Sequence, residues 1–159
     1  MEAKVTKVLM VCLGNICRSP MAEGILTEKL KGTSHQIKVD SAGTGAWHVG
    51  HPPDIRAIKT AKKFGVNIAN QKARKIAISD FDLYDLIFTM DTEVHEEVLR
   101  LAKTAEQRRK IYLFLPYGGN TLLNSVPDPY YGENADFEEA YHFLDNACDT
   151  ILEKMLESK

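Results

Sequence analysis

Residues 8–20 read VLMVCLGNICRSP, and no other stretch limits the fold of the chain as tightly. Val8-Leu9-Met10-Val11 is a short, continuous apolar run, the pattern of a strand buried on both faces. It ends at Cys12. Gly14 and Asn15 follow, two residue types that tolerate a left-handed backbone. Ser19-Pro20 reads as a helix start, with serine as N-cap and proline in the first helical position. Met21, Ala22, Ile25, Leu26 and Leu30 then recur at helical spacing. The run therefore predicts a strand, a tight loop and a helix whose positive end points back at the loop. Such an end favours an anion. Arg18 adds a planar fork of donors that matches two phosphate oxygens. The same field favours a thiolate at Cys12, and a thiolate is both a nucleophile and a good leaving group. A lone buried cysteine after a strand is usually plain core. With this loop, arginine and helix start beside it, the pattern points to attack on a phosphate ester.

Strand-like and helix-like segments alternate along the chain. Strands are predicted near residues 5–11, 36–41, 84–90 and 111–115, and helices over 19–31, 54–64, 91–103 and 136–157. A short helical turn is predicted from Ser79-Asp80. The last helix carries a stripe of Phe137, Ala140, Tyr141, Leu144, Ala147, Cys148, Ile151, Leu152 and Met155. This alternation predicts an α/β fold: a single three-layer domain over residues 1–159, with a central four-stranded parallel sheet and helices on both faces. Ligands of such sheets bind at the carboxyl ends of the strands, which is where Cys12 falls. Two long loops, 42–53 and 116–135, also leave strand ends and are expected to wall the same pocket.

A net charge of −2 gives no argument for binding nucleic acid or an anionic membrane, so any anion must be held by a local field. The segment before the first strand is too short for a signal-peptide core or a membrane span. Three cysteines, Cys12, Cys17 and Cys148, make an odd number without a disulfide framework, which predicts a reducing compartment, the cytoplasm. His48 and His51 lack the further ligands of a zinc site, so neither metal nor cofactor is expected. Lys62-Lys63, Lys72 to Lys75 and Arg108-Arg109-Lys110 read as solvated charge runs. Cys148 reads as core.

The run from Cys12 to Pro20, together with Asp128-Pro129-Tyr130-Tyr131-Gly132, closely resembles the low-molecular-weight protein tyrosine phosphatases. The likeness runs from about Val5 to about Leu156 and includes VDSAGT (39–44), HPPDIRA (51–57) and Met90-Asp91. It implies Cys12 as nucleophile, Arg18 as phosphoryl ligand and Asp128 as general acid. A carboxylic acid on a loop can protonate the leaving oxygen and then, as carboxylate, deprotonate the attacking water. Amides of Leu13, Gly14, Asn15, Ile16, Cys17 and Arg18 would bind the equatorial oxygens. Substrates would be phosphotyrosine proteins or aryl phosphates, with inorganic phosphate as product. Leu13, Trp47, Tyr130 and Tyr131 would form the cleft, although loop aromatics can also simply pack.

Ser19 could donate to the Cys12 sulfur, cap the helix, or both. Asn15 and Ser41 match a network that holds the loop in shape. Gln71 stands where many relatives carry histidine, and it is expected to hydrogen-bond toward Ser41 or Asn15. Asp91 is expected to cap a helix and, by the resemblance, to pair with the loop region. Cys17 is either a small residue suited to a tight loop or a redox partner of Cys12.

Three rivals weigh less. A thioredoxin-coupled arsenate reductase needs a cysteine between Cys17 and Cys148, and none is present. A protein arginine phosphatase is disfavoured by Ile16 and by the Tyr130-Tyr131 pair. A non-catalytic phosphotyrosine-binding module would have no need of Cys12 or Asp128.

Overall fold

The computed structural model describes residues 4–157. Among them, four parallel strands form one sheet in the order β2-β1-β3-β4, with β1 (Lys7–Cys12), β2 (Lys38–Gly43), β3 (Leu86–Thr89) and β4 (Ile111–Leu113). β1 lies between β2 and β3, with Cys12 level with Gly43 and Val11 level with Thr89. This central place explains the unbroken apolar run. Val8 and Met10 face one core with Met21, Ile25, Phe137 and Leu144, while Leu9 and Val11 face the other with Ile87, Val94, Val98 and Ile111.

Helices cover both faces, giving a three-layer α/β fold. α1 (Arg18–Leu30), α2 (Ile55–Lys63) and α7 (Asn134–Glu157) contribute to the first core. α3 (Asp80–Leu83) and α4 (Thr92–Leu101) contribute Phe81, Val94 and Val98 to the second. The carboxyl ends of β1, β2 and β3 lie on one edge, and the segments leaving them build the site.

Several boundaries differ from the sequence expectation. β4 stops at Leu113, and Phe114–Tyr117 turns into a helical turn, α6. Phe114 and Leu115 are both fully buried in the α7-side core, whereas an extended chain would point them to opposite faces. A further short helix, α5 (Ala105–Arg108), was not expected; a capping box between Thr104 and Gln107 starts it. α1 begins at Arg18, so Ser19 is not its N-cap; Cys17 holds that position without a side-chain cap bond. The run from Lys72 to Lys75 is not a plain solvated face either. Arg74 pairs with Asp40 and Asp80, and Lys75 forms an isolated parallel bridge to Gly43 at the end of β2.

Candidate active site

Cys12 is the last residue of β1, and the chain must turn sharply there to enter α1. Asn15 takes the left-handed conformation at φ 58°, which asparagine tolerates better than most residues. Gly43, level with Cys12 on β2, lets the loop pass close by: a Cβ there would lie 2.7 Å from the Leu13 carbonyl oxygen.

The loop is tied from inside. Asn15 Nδ2 donates to Ser19 Oγ at 2.8 Å and to Ser41 Oγ at 3.0 Å, while Asn15 Oδ1 accepts from the Arg74 amide at 2.9 Å. Both side-chain amide protons and the carbonyl oxygen of the asparagine are thus engaged in fixing the loop. Ser19 Oγ lies 2.9 Å from Cys12 Sγ, and the Asn15 amide donates to the same sulfur at 3.2 Å. Because Ser19 Oγ accepts from Asn15, its own proton is available to the sulfur. Ser41 in turn donates to Glu23 Oε1 at 2.7 Å. Burial pushes the Glu23 carboxyl up to about 7, helped by Asp40 and opposed by the Ser41 bond and Arg74.

Arg18 is buried at the start of α1. Its Nη1 donates to Asp91 Oδ2 at 2.8 Å and to the Val126 carbonyl at 3.0 Å, and its Nη2 lies 3.5 Å from Asp128 Oδ2. Burial alone would lower its pKa, but Cys12, Asp128 and Asp91 outweigh that and hold it above the ordinary value. Asp91 meets both expectations at once. Its Oδ1 caps α4 through the Val94 amide at 2.7 Å, and its other oxygen holds Arg18. The Val126 amide bonds the Met90 carbonyl at 2.7 Å, which fastens the chain leading to Asp128 onto the end of β3.

These groups meet in a cleft of about 380 Å³. Cys12, Cys17, Arg18 and Asp128 line it, with Leu13, Trp47, Tyr130 and Tyr131 as walls. Trp47 folds back over Gly45, where a Cβ would collide with its ring. The rings of Tyr130 and Tyr131 stand at right angles, 4.9 Å apart. Asp128 also shapes its own turn, accepting from the Tyr130 amide at 3.1 Å. Cys17, the last loop residue before α1, is buried, and burial first, then Asp54 and Cys12, push its thiol well up. Cys148 is buried in the core, as expected.

Gln71 is not where the sequence reading put it. Its Nε2 donates to the Pro20 carbonyl of α1 at 3.0 Å, and its buried Oε1 has no partner. Ser41 instead donates to Glu23, Asn15 Oδ1 accepts from the Arg74 backbone, and Gln71 bonds neither. Reading along the sequence also passed over Glu23 and the pair Asp54 and Arg56, weighed His48 only as a metal ligand, and read Arg74 as part of a solvated charge run. Glu23 sits four residues after Ser19, one helical turn along α1, and that spacing was the available signal. His48 lines the cleft beside Tyr130. Among the described residues, no cluster of three or more His, Cys, Asp or Glu side chains could hold a metal ion, and no helix is long and apolar enough to cross a membrane.

Residues 7–159 match the family model described as low molecular weight phosphotyrosine protein phosphatase. A low molecular weight phosphotyrosine protein phosphatase of Schizosaccharomyces pombe is 41% identical over 155 residues, covering 96% of this chain and 98% of that one. The low molecular weight protein-tyrosine-phosphatase YfkJ of Bacillus subtilis is 38% identical over 96% of this chain and 97% of its own. Among solved structures, a protein tyrosine phosphatase from Entamoeba histolytica superposes with a TM-score of 0.90 at 34% identity, covering 96% of this chain and 97% of that one.

Proposed function

The chain belongs to the low molecular weight phosphotyrosine protein phosphatase family, and we propose that it hydrolyses phosphotyrosine and aryl phosphates through a phosphocysteine intermediate. One observation carries this reading. Cys12 Sγ, held by Ser19 Oγ at 2.9 Å and the Asn15 amide at 3.2 Å, shares a cleft with the Arg18 guanidinium and the Asp128 carboxyl.

In the first step the Cys12 thiolate attacks phosphorus, the bond from phosphorus to the aryl oxygen breaks, and Asp128 gives its proton to that oxygen. The amides of Leu13 to Arg18 and the Arg18 fork take up charge on the equatorial oxygens. In the second step the Asp128 carboxylate removes a proton from water as it attacks phosphorus. The S–P bond then breaks and inorganic phosphate leaves. Ser19 and Asn15 serve the sulfur as donors, which favours it as both attacking and leaving group. The walls of Leu13, Trp47, Tyr130 and Tyr131 suit a phenyl ring better than an alkyl chain.

The test is Cys12→Ser. Turnover of p-nitrophenyl phosphate should vanish while vanadate still binds, because the amides and Arg18 remain. Residual turnover above a trace would contradict the covalent route.

We also read Cys17 as a partner for an oxidised Cys12. Peroxide would convert the Cys12 thiolate to a sulfenic acid, and attack by Cys17 would release water and leave a disulfide that thiols reduce. A reducing cytoplasm suits a chain whose three cysteines are unpaired. Mass spectrometry after mild peroxide treatment should find the Cys12–Cys17 disulfide; its absence would contradict this reading.

A further inference from the structure

The loop carrying Cys12 and the segment carrying Asp128 are joined by a side chain that the mechanism does not use. Arg56 is the second residue of α2. Its Nη2 donates to the Tyr130 carbonyl at 2.9 Å and its Nη1 to the Gly132 carbonyl at 3.1 Å. The same guanidinium is gripped by Asp54, with Nε 3.0 Å from Oδ1 and Nη2 2.9 Å from Oδ2. It also lies 4.5 Å from the centre of the Phe137 ring. The Arg56 bond, first, and its charge hold the Asp54 carboxyl below the usual carboxylate range. Asp54 is itself fastened to the phosphate loop, because its amide donates to the Ile16 carbonyl at 2.8 Å.

The bonds run without a break from Ile16 through Asp54 and Arg56 to Tyr130 and Gly132. The turn from Asp128 to Gly132 has two other backbone ties, and both are internal: the Tyr130 amide to Asp128 Oδ1, and the Gly132 amide to the Pro129 carbonyl. They shape the turn; its near end is placed by Val126, whose amide bonds Met90 and whose carbonyl accepts from Arg18, and its far end, at Tyr130 and Gly132, is held by Arg56. Asp128 meets Arg18 only at 3.5 Å. A planar fork with five donors can hold two carbonyls and a carboxylate together, which an ammonium cannot do in one fixed plane.

We propose that Arg56 is a positioning residue for the acid: through Asp54 it ties the carbonyls of Tyr130 and Gly132 to the phosphate loop and so sets where the Asp128 carboxyl stands relative to the bond that Cys12 breaks. The proposal rests on the reading of Asp128 as the general acid. Arg56 touches no reacting atom. Its effect comes from holding a proton donor within hydrogen-bond reach of the leaving oxygen, and a shift of about 1 Å costs up to about a hundredfold in such a transfer.

The experiment compares Arg56→Ala, Arg56→Lys, Asp128→Ala and the double variant Arg56→Ala/Asp128→Ala. It follows kcat/KM, which reports expulsion of the leaving group, over aryl phosphates from phenyl to 2,4-dinitrophenyl phosphate. Arg56→Ala should lose about ten- to a hundredfold on phenyl phosphate and little on the dinitrophenyl ester, whose leaving group needs almost no proton. Arg56→Lys should show the same pattern, since it keeps a cation near Phe137 but cannot span both carbonyls; it also serves if the alanine variant folds poorly. Added to Asp128→Ala, Arg56→Ala should cost nothing more. An equal loss by Arg56→Ala across the series, full rescue by lysine, or an additive double variant would overturn the proposal while a steep Asp128→Ala profile left the acid reading intact. A flat Asp128→Ala profile would remove the acid assignment and the proposal with it.

Discussion

The two walls of the cleft are held in opposite ways. On the Cys12 side, Cys12, Asn15 and Arg18 are 3%, 2% and 3% exposed, and each is fixed by two or more hydrogen bonds or ion pairs to separate elements. On the Asp128 side, the aspartate side chain is 43% exposed and Tyr131 is 95% exposed, and the side-chain ties from outside the segment come from two arginines, Arg18 at 3.5 Å to Asp128 and Arg56 to the Tyr130 and Gly132 carbonyls. On the proposed mechanism this difference has a reason. The groups that hold phosphorus gain from being set in advance, because reorganisation during the reaction would raise the barrier. The acid must meet substrates of varied shape and let product leave, so a less constrained segment suits it. On that mechanism, the buried and multiply bonded groups stand where charge develops and the exposed ones where the substrate enters.

That contrast can be attacked first at Asn15. Asn15→Ala would strip Ser19, Ser41 and the Arg74 amide of a buried partner and put alanine at φ 58°. We expect a stability loss of about 2–4 kcal/mol by denaturant unfolding and a clear loss of vanadate affinity. Asn15→Gly separates the causes, since it relieves the backbone but not the lost bonds. If glycine serves as well as asparagine, the side-chain network is not what sets the loop.

A smaller effect tests how far the network reaches. Folding raises the Glu23 carboxyl from its ordinary 4.5 to about 7, mainly by burial. The folded chain thus keeps a proton that the unfolded chain gives up across that window. Stability should fall as pH rises from about 4.5 to about 7 and then level off, by at most about 3 kcal/mol from this group. Glu23→Gln still accepts from Ser41 and should flatten that part of the pH–stability curve. A curve unchanged by the substitution would show that Glu23 does not carry this proton.

The smallest effect is expected outside the network. Gln71→Leu loses one bond to the Pro20 carbonyl and removes an unpartnered buried oxygen. The two changes offset, so stability should move by no more than about 1 kcal/mol, with vanadate binding unchanged. A marked loss of anion binding would mean that Gln71 supports the loop after all.

The legible part of this molecule follows from local pattern. The strand from Lys7, the helix after it and the amphipathic last helix were readable because their periodicity or continuous burial depends on neighbours close in sequence. Cys12 and Arg18 stood out by residue type and local pattern and Asp128 by the resemblance alone, and the structure brings the three into one cleft. The miss at Gln71 has a different origin. Its partner is decided by how the 66–76 segment lies against α1 and β2, which brings its Nε2 to the Pro20 carbonyl while the Arg74 amide meets Asn15. Arg74 hid in a charge run because its ion-pair partners, Asp40 and Asp80, come from two other segments. Arg56 sat within a recognisable stretch, HPPDIRA, yet its role depends on carbonyls 74 and 76 residues away. β4 ended early because tertiary burial of Phe114 and Leu115 overrode a strand-like sequence.

The central claim is that the rigid side of the cleft forms a bond to phosphorus. Rapid acid quench of the enzyme during turnover of 32P-labelled phosphotyrosine peptide, followed by peptide mapping, tests it most directly. The account predicts label on the peptide containing Cys12 that is absent in Cys12→Ser. Turnover without a labelled protein species at any quench time, or label on another residue, would contradict it.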